Sequence, residues 1–265
     1  MNNTKVSTHI CDQLIFGCGR LTGGVEKNNS INLINTAFDL GIRKFDIAPS
    51  YGDGQVEDIL KTALGSRIKD AFITVKIGLP RTKSSPIKSI VKSILRPLVK
   101  NIKRGVGMNP SQQVKSNSVG NMNAIYLESS FNDIIEKLGV SYIDTVLLHE
   151  PRFENIDQSV ILLLEKLRKT GKIKQYGTGT GQIGQKAVSI GRVMQFRYGQ
   201  DNYHKSISND IEVRLHGFFR NSKSDTLEQV YATIKEVLES NRNTHLVFST
   251  RSKNNLVNII SNLGG

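Results

Sequence analysis

The chain has 265 residues, of which 38% are hydrophobic, and a formal net charge of +13 at pH 7. This length can bury a sizeable apolar core and suits one α/β barrel or two domains of ordinary size. No run of 18 apolar residues is present, which excludes a spanning helix, and the cysteines Cys11 and Cys18 do not indicate a disulfide framework. Residues 1–8 lack the apolar core of a signal peptide, so we expect a cytoplasmic protein.

The positive charge is concentrated in one segment. Residues 81–117 hold nine lysines and arginines, and residues 71–127 contain no acidic side chain. Without these nine charges the rest of the chain carries only +4. The segment also lacks the aromatic side chains that stack on bases in single-strand sites, so we expect no nucleic-acid binding.

Short apolar runs alternate with stretches of helical periodicity, which indicates repeated βα units and a parallel sheet. The predicted strands are 14–17, 42–48, 72–76, 142–148, 173–178, 193–196, 211–215 and 246–248. The predicted helices are one from the N-cap Ser30 to Gly41, then 56–64, 125–138, 158–170, 183–190, 227–238 and 256–263. Since no G-x-G-x-x-G turn follows the first strand, we predict a single (β/α)8 TIM barrel over residues 1–265.

Residues 79–123 form an insertion after strand three. Residues 87–103 place apolar side chains on one face and basic ones on the other, which predicts a basic amphipathic helix kinked at Pro97. Residues 105–123 are rich in Gly, Asn, Ser and Gln, which predicts a flexible stretch.

Three adjacent strands end in side chains that can do chemistry. Asp46 and Tyr51 follow strand two, Lys76 ends strand three, and His149 follows strand four. Each has an ordinary explanation alone, as a capping, packing, solvated or turn residue. Because catalytic residues of a barrel lie at the carboxyl ends of its strands, their coincidence predicts an active site.

These four side chains suit the reduction of a carbonyl group. Hydride delivery to the carbonyl carbon builds negative charge on its oxygen, so a proton donor must stand beside that oxygen. The ordinary pKa of tyrosine is about 10, and we expect the Lys76 ammonium to lower it for Tyr51. Asp46 would keep Lys76 charged, and His149 would hydrogen-bond the substrate oxygen. This chemistry needs no metal, and the sequence shows no metal-ligand cluster.

Four segments closely resemble successive motifs of the aldo-keto reductases: FDIAPSYGDGQVEDIL, FITVKIG, LGVSYIDTVLLHEPR and LRKTGKIKQYGTG. The resemblance runs from about residue 14 to residue 263 and leaves only the insertion unmatched. It implies an NAD(P)H-dependent oxidoreductase that interconverts an aldehyde or ketone, such as a sugar-like one, with its alcohol. The charge of the basic insertion would in addition suit an anionic substrate. The resemblance also assigns the catalytic positions to Asp46, Tyr51, Lys76 and His149, with Tyr51 as proton donor.

The resemblance further implies cofactor-binding positions. These are Gly19, Thr180, Gln195, Ser249, Thr250, Arg251, Asn255 and Asn258. Gly179 and Thr180 replace a Ser-Asn pair of the family, and residues 215–216 offer no assignable nicotinamide-stacking side chain. Residues 249–256 resemble a phosphate-binding turn in which Arg251 favours NADP(H) over NAD(H), although an N-capped surface helix would give a similar pattern.

Several alternatives stay open. The insertion suits a wall over the active-site rim, or a surface at residues 87–103 that docks on a membrane or protein partner. The chain could be a catalytically weak binding or regulatory subunit, like the β subunits of potassium channels, or a cofactor-free lyase or isomerase that uses Lys76. The sequence predicts no oligomeric state.

Overall fold

A computed structural model describes residues 11–81, 119–181, 188–199, 208, 210–221 and 226–264. Eight parallel strands follow one another in chain order, and the last pairs with the first, which closes a barrel. The strands are β1 Leu14–Gly17, β2 Lys44–Ile47, β3 Phe72–Ile77, β4 Ile143–His149, β5 Ile173–Gly179, β6 Val193–Arg197, β7 Glu212–His216 and β8 Thr244–Phe248. The main helices are α1 Lys27–Asp39, α2 Val56–Leu64, α3 Ala124–Leu138, α4 Gln158–Lys169, α5 Leu227–Ser240 and α6 Lys253–Gly264.

The helices form because one face of each is apolar, and α3, α4 and α5 also have side-chain N-caps. Helix α5, for example, buries Val230, Ile234 and Leu238 at helical spacing. Its N-terminus has a capping box, in which the side chains of Thr226 and Gln229 bond reciprocally to backbone amides. The apolar faces pack on the strands, so the core fills the space between the barrel and its helices.

The structure confirms the predicted barrel and corrects two of the predicted elements. Ser30 is not an N-cap: α1 begins at Lys27, and the buried Ser30 hydroxyl instead donates to the Thr22 carbonyl over 2.7 Å. The helix predicted at 183–190 is wrong at residues 188–190, which are not helical, and residues 182–187 lie outside the described residues. The predicted helix 87–103 and most of the Gly/Asn-rich stretch also lie outside them.

A network of polar side chains crosses the barrel interior near the strand starts. Buried Arg214 on β7 donates to the hydroxyls of Thr74 on β3, over 2.6 Å, and Thr145 on β4, over 3.0 Å. Strand β7 is not a neighbour of β3 or β4, so these bonds span the interior. Glu212 accepts from Arg214 over 2.6 Å and from the Gln175 amide over 2.8 Å. We call these residues, with Lys44 and His245, the polar floor.

His245 is held neutral within the polar floor. Its Nε2 lies 2.8 Å from Lys44 Nζ and therefore accepts, while Nδ1 lies 3.5 Å from Glu212 Oε1. Burial lowers the pKa of His245 to about 4. The Glu212 carboxylate raises this pKa, whereas the Lys44 and Arg214 charges lower it. The folded protein therefore resists protonation of a side chain that the unfolded chain protonates near pH 6.5.

We predict that acidification destabilises the fold through this histidine. Below pH 6.5 the unfolded chain binds a proton that the folded chain refuses until about pH 4, so stability is lost across that window. Urea unfolding at pH 7 and pH 5 should show a smaller loss for His245→Gln than for the wild type, by on the order of 1 kcal/mol. An equal loss in both proteins would contradict this account.

Candidate active site

The predicted catalytic side chains meet at one rim of the barrel. Asp46 lies on β2, Lys76 on β3 and His149 at the end of β4. Tyr51 follows β2 through a turn in which its amide donates to the Ala48 carbonyl over 2.8 Å. The strands are parallel, so their carboxyl ends deliver these residues to the same end of the barrel.

Lys76 and Asp46 form a buried ion pair. Both carboxylate oxygens of Asp46 accept from Lys76 Nζ, and both side chains are almost fully buried. Lys76 Nζ also lies 3.4 Å from the Tyr51 hydroxyl. Burial alone would lower the pKa of Lys76, but the Asp46 carboxylate and Tyr51 outweigh it and raise that pKa above its ordinary value. Lys76 is therefore an ammonium at neutral pH.

The pKa of Tyr51 moves in the opposite direction from the sequence prediction. Burial raises it, and Asp46 and Glu150 act in the same direction. The Lys76 ammonium lowers the pKa as expected, but it does not overcome the loss of solvent around the phenol. Tyr51 therefore keeps its proton at neutral pH, which is the state that a proton donor needs.

His149 is a neutral imidazole at this rim. Burial and the nearby Lys76 charge lower the pKa of His149 to about 3. Its ring lies edge-on to Tyr51, with 6.0 Å between the ring centroids. Its buried Nδ1 has no hydrogen-bond partner among the described residues. A neutral imidazole can orient a substrate oxygen without adding a charge to the site.

A cavity of about 600 Å³ opens over these side chains and extends across the ends of β5 to β8 to helix α6. Seven of the predicted cofactor residues line it: Gly19, Thr180, Gln195, Ser249, Thr250, Asn255 and Asn258. Arg251 does not line it; this exposed side chain donates through Nε to the Arg20 carbonyl over 2.7 Å. The structure therefore gathers the predicted set along one cleft, with Arg251 at its outer edge.

The turn before α6 has the geometry of a capped helix. The Ser252 amide donates to the Thr250 hydroxyl over 3.0 Å, and the Asn255 amide donates to the Ser252 hydroxyl over 3.3 Å. Asn255 and Asn258, in the first two turns, line the cleft. Residues 249–256 can therefore be both an N-capped helix start and an anion-binding turn, because a helix N-terminus favours negative charge.

Gly179 packs closely against the buried lysine. A side chain carbon added at Gly179 would lie 3.3 Å from Lys76 Cε, closer than ordinary van der Waals contact. A larger residue at this position would require Lys76 to shift. The backbone amide of the neighbouring Thr180 donates a hydrogen bond to the Gln195 carbonyl over 2.8 Å.

Two residues at the cleft had no predicted role. Glu150 has a positive φ of 51°, and its carboxylate accepts from the Gly181 amide over 2.8 Å. His216, rather than the buried Leu215, lines the cleft, and its Nε2 donates to the Thr180 carbonyl over 3.1 Å. The alternation of side chains along β7 could have selected His216 over Leu215, whereas nothing in the sequence signals the left-handed backbone of Glu150.

The described part of the chain offers neither a metal centre nor a membrane-spanning helix. It contains no group of three or more His, Cys, Asp or Glu side chains that could hold a metal ion. None of its helices is long and apolar enough to cross a membrane.

The fold and this rim define a barrel of the aldo-keto reductase type, and a family comparison agrees. The model of the aldo/keto reductase family matches residues 13–195, so the chain belongs to this family.

The chain also resembles individual proteins. It is 26% identical over 178 residues to an uncharacterized oxidoreductase, YqkF, of Bacillus subtilis (strain 168), which covers 67% of this chain and 48% of that protein. It is 26% identical over 167 residues to a D-threo-aldose 1-dehydrogenase of Pseudomonas sp, covering 61% and 47%. The chain thus spans about half the length of these curated relatives.

The aldo-keto reductase AKR11C1 from Bacillus halodurans, in its holo form, shares the fold. It superposes with a TM-score of 0.67 at 16% identity, over 96% of this chain and 87% of that chain.

Arg81 braces the loop that carries Tyr51. It donates to both carboxylate oxygens of the buried Glu57, over 2.7 and 2.8 Å, and to the Gly54 carbonyl over 2.9 Å. It also pairs with Asp133 on α3 over 2.6 Å. The Gly54 amide in turn donates to the Tyr51 carbonyl. Arg81 is therefore paired with two carboxylates, although the sequence had grouped it with the basic insertion.

We predict that Arg81→Gln destabilises the protein by about 3 kcal/mol, because it leaves the Glu57 carboxylate buried without its cation. The double variant Glu57→Gln with Arg81→Gln should recover much of this loss, since no buried charge remains. Arg168→Gln, which breaks an exposed pair with Glu165, should destabilise the protein far less, because solvent screens that pair. Chemical unfolding measures all three, and equal losses for Arg81→Gln and Arg168→Gln would contradict the brace.

Proposed function

We propose that this chain is an NAD(P)H-dependent oxidoreductase that interconverts an aldehyde or ketone with the corresponding alcohol, with Tyr51 as the proton donor. The observation that carries the proposal is the buried Lys76 ammonium, held by Asp46 and placed 3.4 Å from the Tyr51 hydroxyl. A buried cation next to a protonated phenol stabilises the phenolate that forms when the proton leaves.

The residues of the cleft suit a nicotinamide cofactor. The buried Gln195 Oε1 has no hydrogen-bond partner among the described residues and could accept from a primary amide such as the nicotinamide carboxamide. His216 offers a neutral ring at the end of β7, where the burial of its imidazole lowers its pKa to about 4. When bound, the cofactor supplies or accepts the hydride.

The chain's own side chains would handle the oxygen of the substrate. Neutral His149 orients that oxygen by a hydrogen bond, and Tyr51 donates its proton to it as negative charge develops. Lys76 then faces the phenolate of Tyr51, and Asp46 keeps Lys76 charged and in place. In the direction of alcohol oxidation the same phenolate accepts the proton of the hydroxyl group.

The cofactor and substrate preferences extend this proposal. Arg251, at the outer edge of the cleft beside the start of α6, would favour NADP(H) by pairing with the 2′-phosphate. The resemblance to a D-threo-aldose 1-dehydrogenase supports a sugar-like substrate. The competing proposal of a catalytically weak binding subunit retains the cofactor site but predicts little turnover.

We predict that the chain binds NADPH more tightly than NADH in a titration followed by nicotinamide fluorescence. Arg251→Gln should weaken NADPH binding about tenfold and leave NADH binding unchanged, because only NADPH loses a charge-assisted contact. Arg242→Gln, an exposed arginine at the opposite end of the barrel, is the matched control. Binding of neither nucleotide would overturn the proposed function, and tighter binding of NADH would overturn the preference alone.

Tyr51→Phe should lower the kcat for NADPH-dependent reduction of glyceraldehyde at least about 100-fold, as expected for loss of a general acid. The Kd for NADPH should change less than about twofold, because the phenylalanine keeps the packing of the ring. Tyr176→Phe is the control: it removes a hydroxyl that contacts Glu165 on the outside of the barrel and should leave kcat unchanged. Undiminished turnover in Tyr51→Phe would show that another group donates the proton.

A further inference from the structure

Gln195 connects the cleft to the buried ion pair. It lies on β6, and its Nε2 donates to Asp46 Oδ2 over 2.9 Å. Strands β6 and β2 are not neighbours, so this bond spans the interior at the catalytic end of the barrel. Both residues are at most 5% exposed, which removes competition from bulk water.

The partner of Gln195 fixes the orientation of its amide. The Asp46 carboxylate faces Lys76 as an anion and can only accept hydrogen bonds, so the NH₂ group of Gln195 must face it. The carbonyl Oε1 therefore turns away from Asp46, and it is buried without a partner in the described residues. Leaving such an acceptor unpaired is unfavourable, and a donor bound in the cleft would relieve that penalty.

The same bond constrains the proton-donating group. Asp46 accepts from both Lys76 and Gln195, so loss of the amide would free the carboxylate to rotate with the lysine. Gly179 lies between His149 and Gln195 in the sheet register and leaves only enough room for Lys76. Small movements of Asp46 should therefore change the 3.4 Å separation of Lys76 Nζ from the Tyr51 hydroxyl.

We infer that Gln195 is a positioning residue for proton transfer: beside the carboxamide contact already proposed for its Oε1, its Nε2 orients the Asp46–Lys76 pair. The inference rests on the proposed function, and it assigns to one side chain two tasks that different cofactors can separate. If Gln195 contacted only the carboxamide, its loss would lower kcat only with a cofactor that carries the carboxamide. A contact with Asp46 affects catalysis with any cofactor.

The test compares NADPH with its reduced 3-acetylpyridine analogue, which has no amide N–H to donate. The kcat for glyceraldehyde reduction is measured at saturating cofactor in the wild type and in Gln195→Met. We expect kcat to fall more than about tenfold with NADPH, and still at least about fivefold with the analogue, because the bond to Asp46 is lost in both cases. Equal kcat values for wild type and variant with the analogue would overturn the inference.

A matched control and a second variant complete the experiment. Gln175→Asn shortens another amide that donates to a carboxylate, Glu212, but in the polar floor, and it should leave kcat unchanged with both cofactors. A fivefold loss of kcat in this control would show that a general loosening of the barrel explains the effect, and would overturn the inference.

Gln195→Asn keeps an amide one methylene shorter, and it replaces Gln195→Met if the latter does not fold. The same loss of kcat with the analogue is expected from it. Absence of turnover by the wild type with either cofactor would overturn the proposed function itself, and the inference with it.

Discussion

The buried ion pair of Lys76 and Asp46 is the constraint on which the active rim depends. Removing two charges from water is costly, and breaking such a pair leaves one charge uncompensated. The surrounding residues satisfy that constraint. Gly179 leaves space for the lysine stem, Tyr51 lies against the ammonium, and Gln195 donates to the second oxygen of the carboxylate. The same arrangement keeps a cation beside a phenol in a region with little water.

Two further networks of hydrogen bonds and ion pairs hold the structure around the active rim. The polar floor crosses the interior near the strand starts, with Arg214 bonded to threonines of two distant strands. Outside the barrel, Arg81 fixes the loop of Tyr51 to α2 and α3 through two carboxylates. The position of Tyr51 therefore depends on a basic residue that is neither exposed nor part of the substrate cleft.

Periodicity and strand-end position predicted the barrel and the four rim residues, because both follow from local pattern. The strands are short apolar runs, and parallel strands deliver their ends to one face. The sequence could not predict the bond between Gln195 and Asp46, which joins residues 149 positions apart. It also gave the wrong direction for the pKa of Tyr51, because burial of the phenol depends on the whole fold. Ser30 was misassigned because a tertiary contact with Thr22 uses the hydroxyl that a cap would need.

The most direct measurement of the central claim is the pH dependence of kcat for carbonyl reduction at saturating NADPH. A Tyr51 donor whose pKa lies above its ordinary value of about 10 should keep kcat constant from about pH 6 to pH 9, with a decline only above about pH 10. The titration of His149 should cause no change of kcat in this range, because the pKa of His149 is about 3. A decline centred near pH 7 would show that a different acid donates the proton and would contradict the role of the Asp46–Lys76–Tyr51 group.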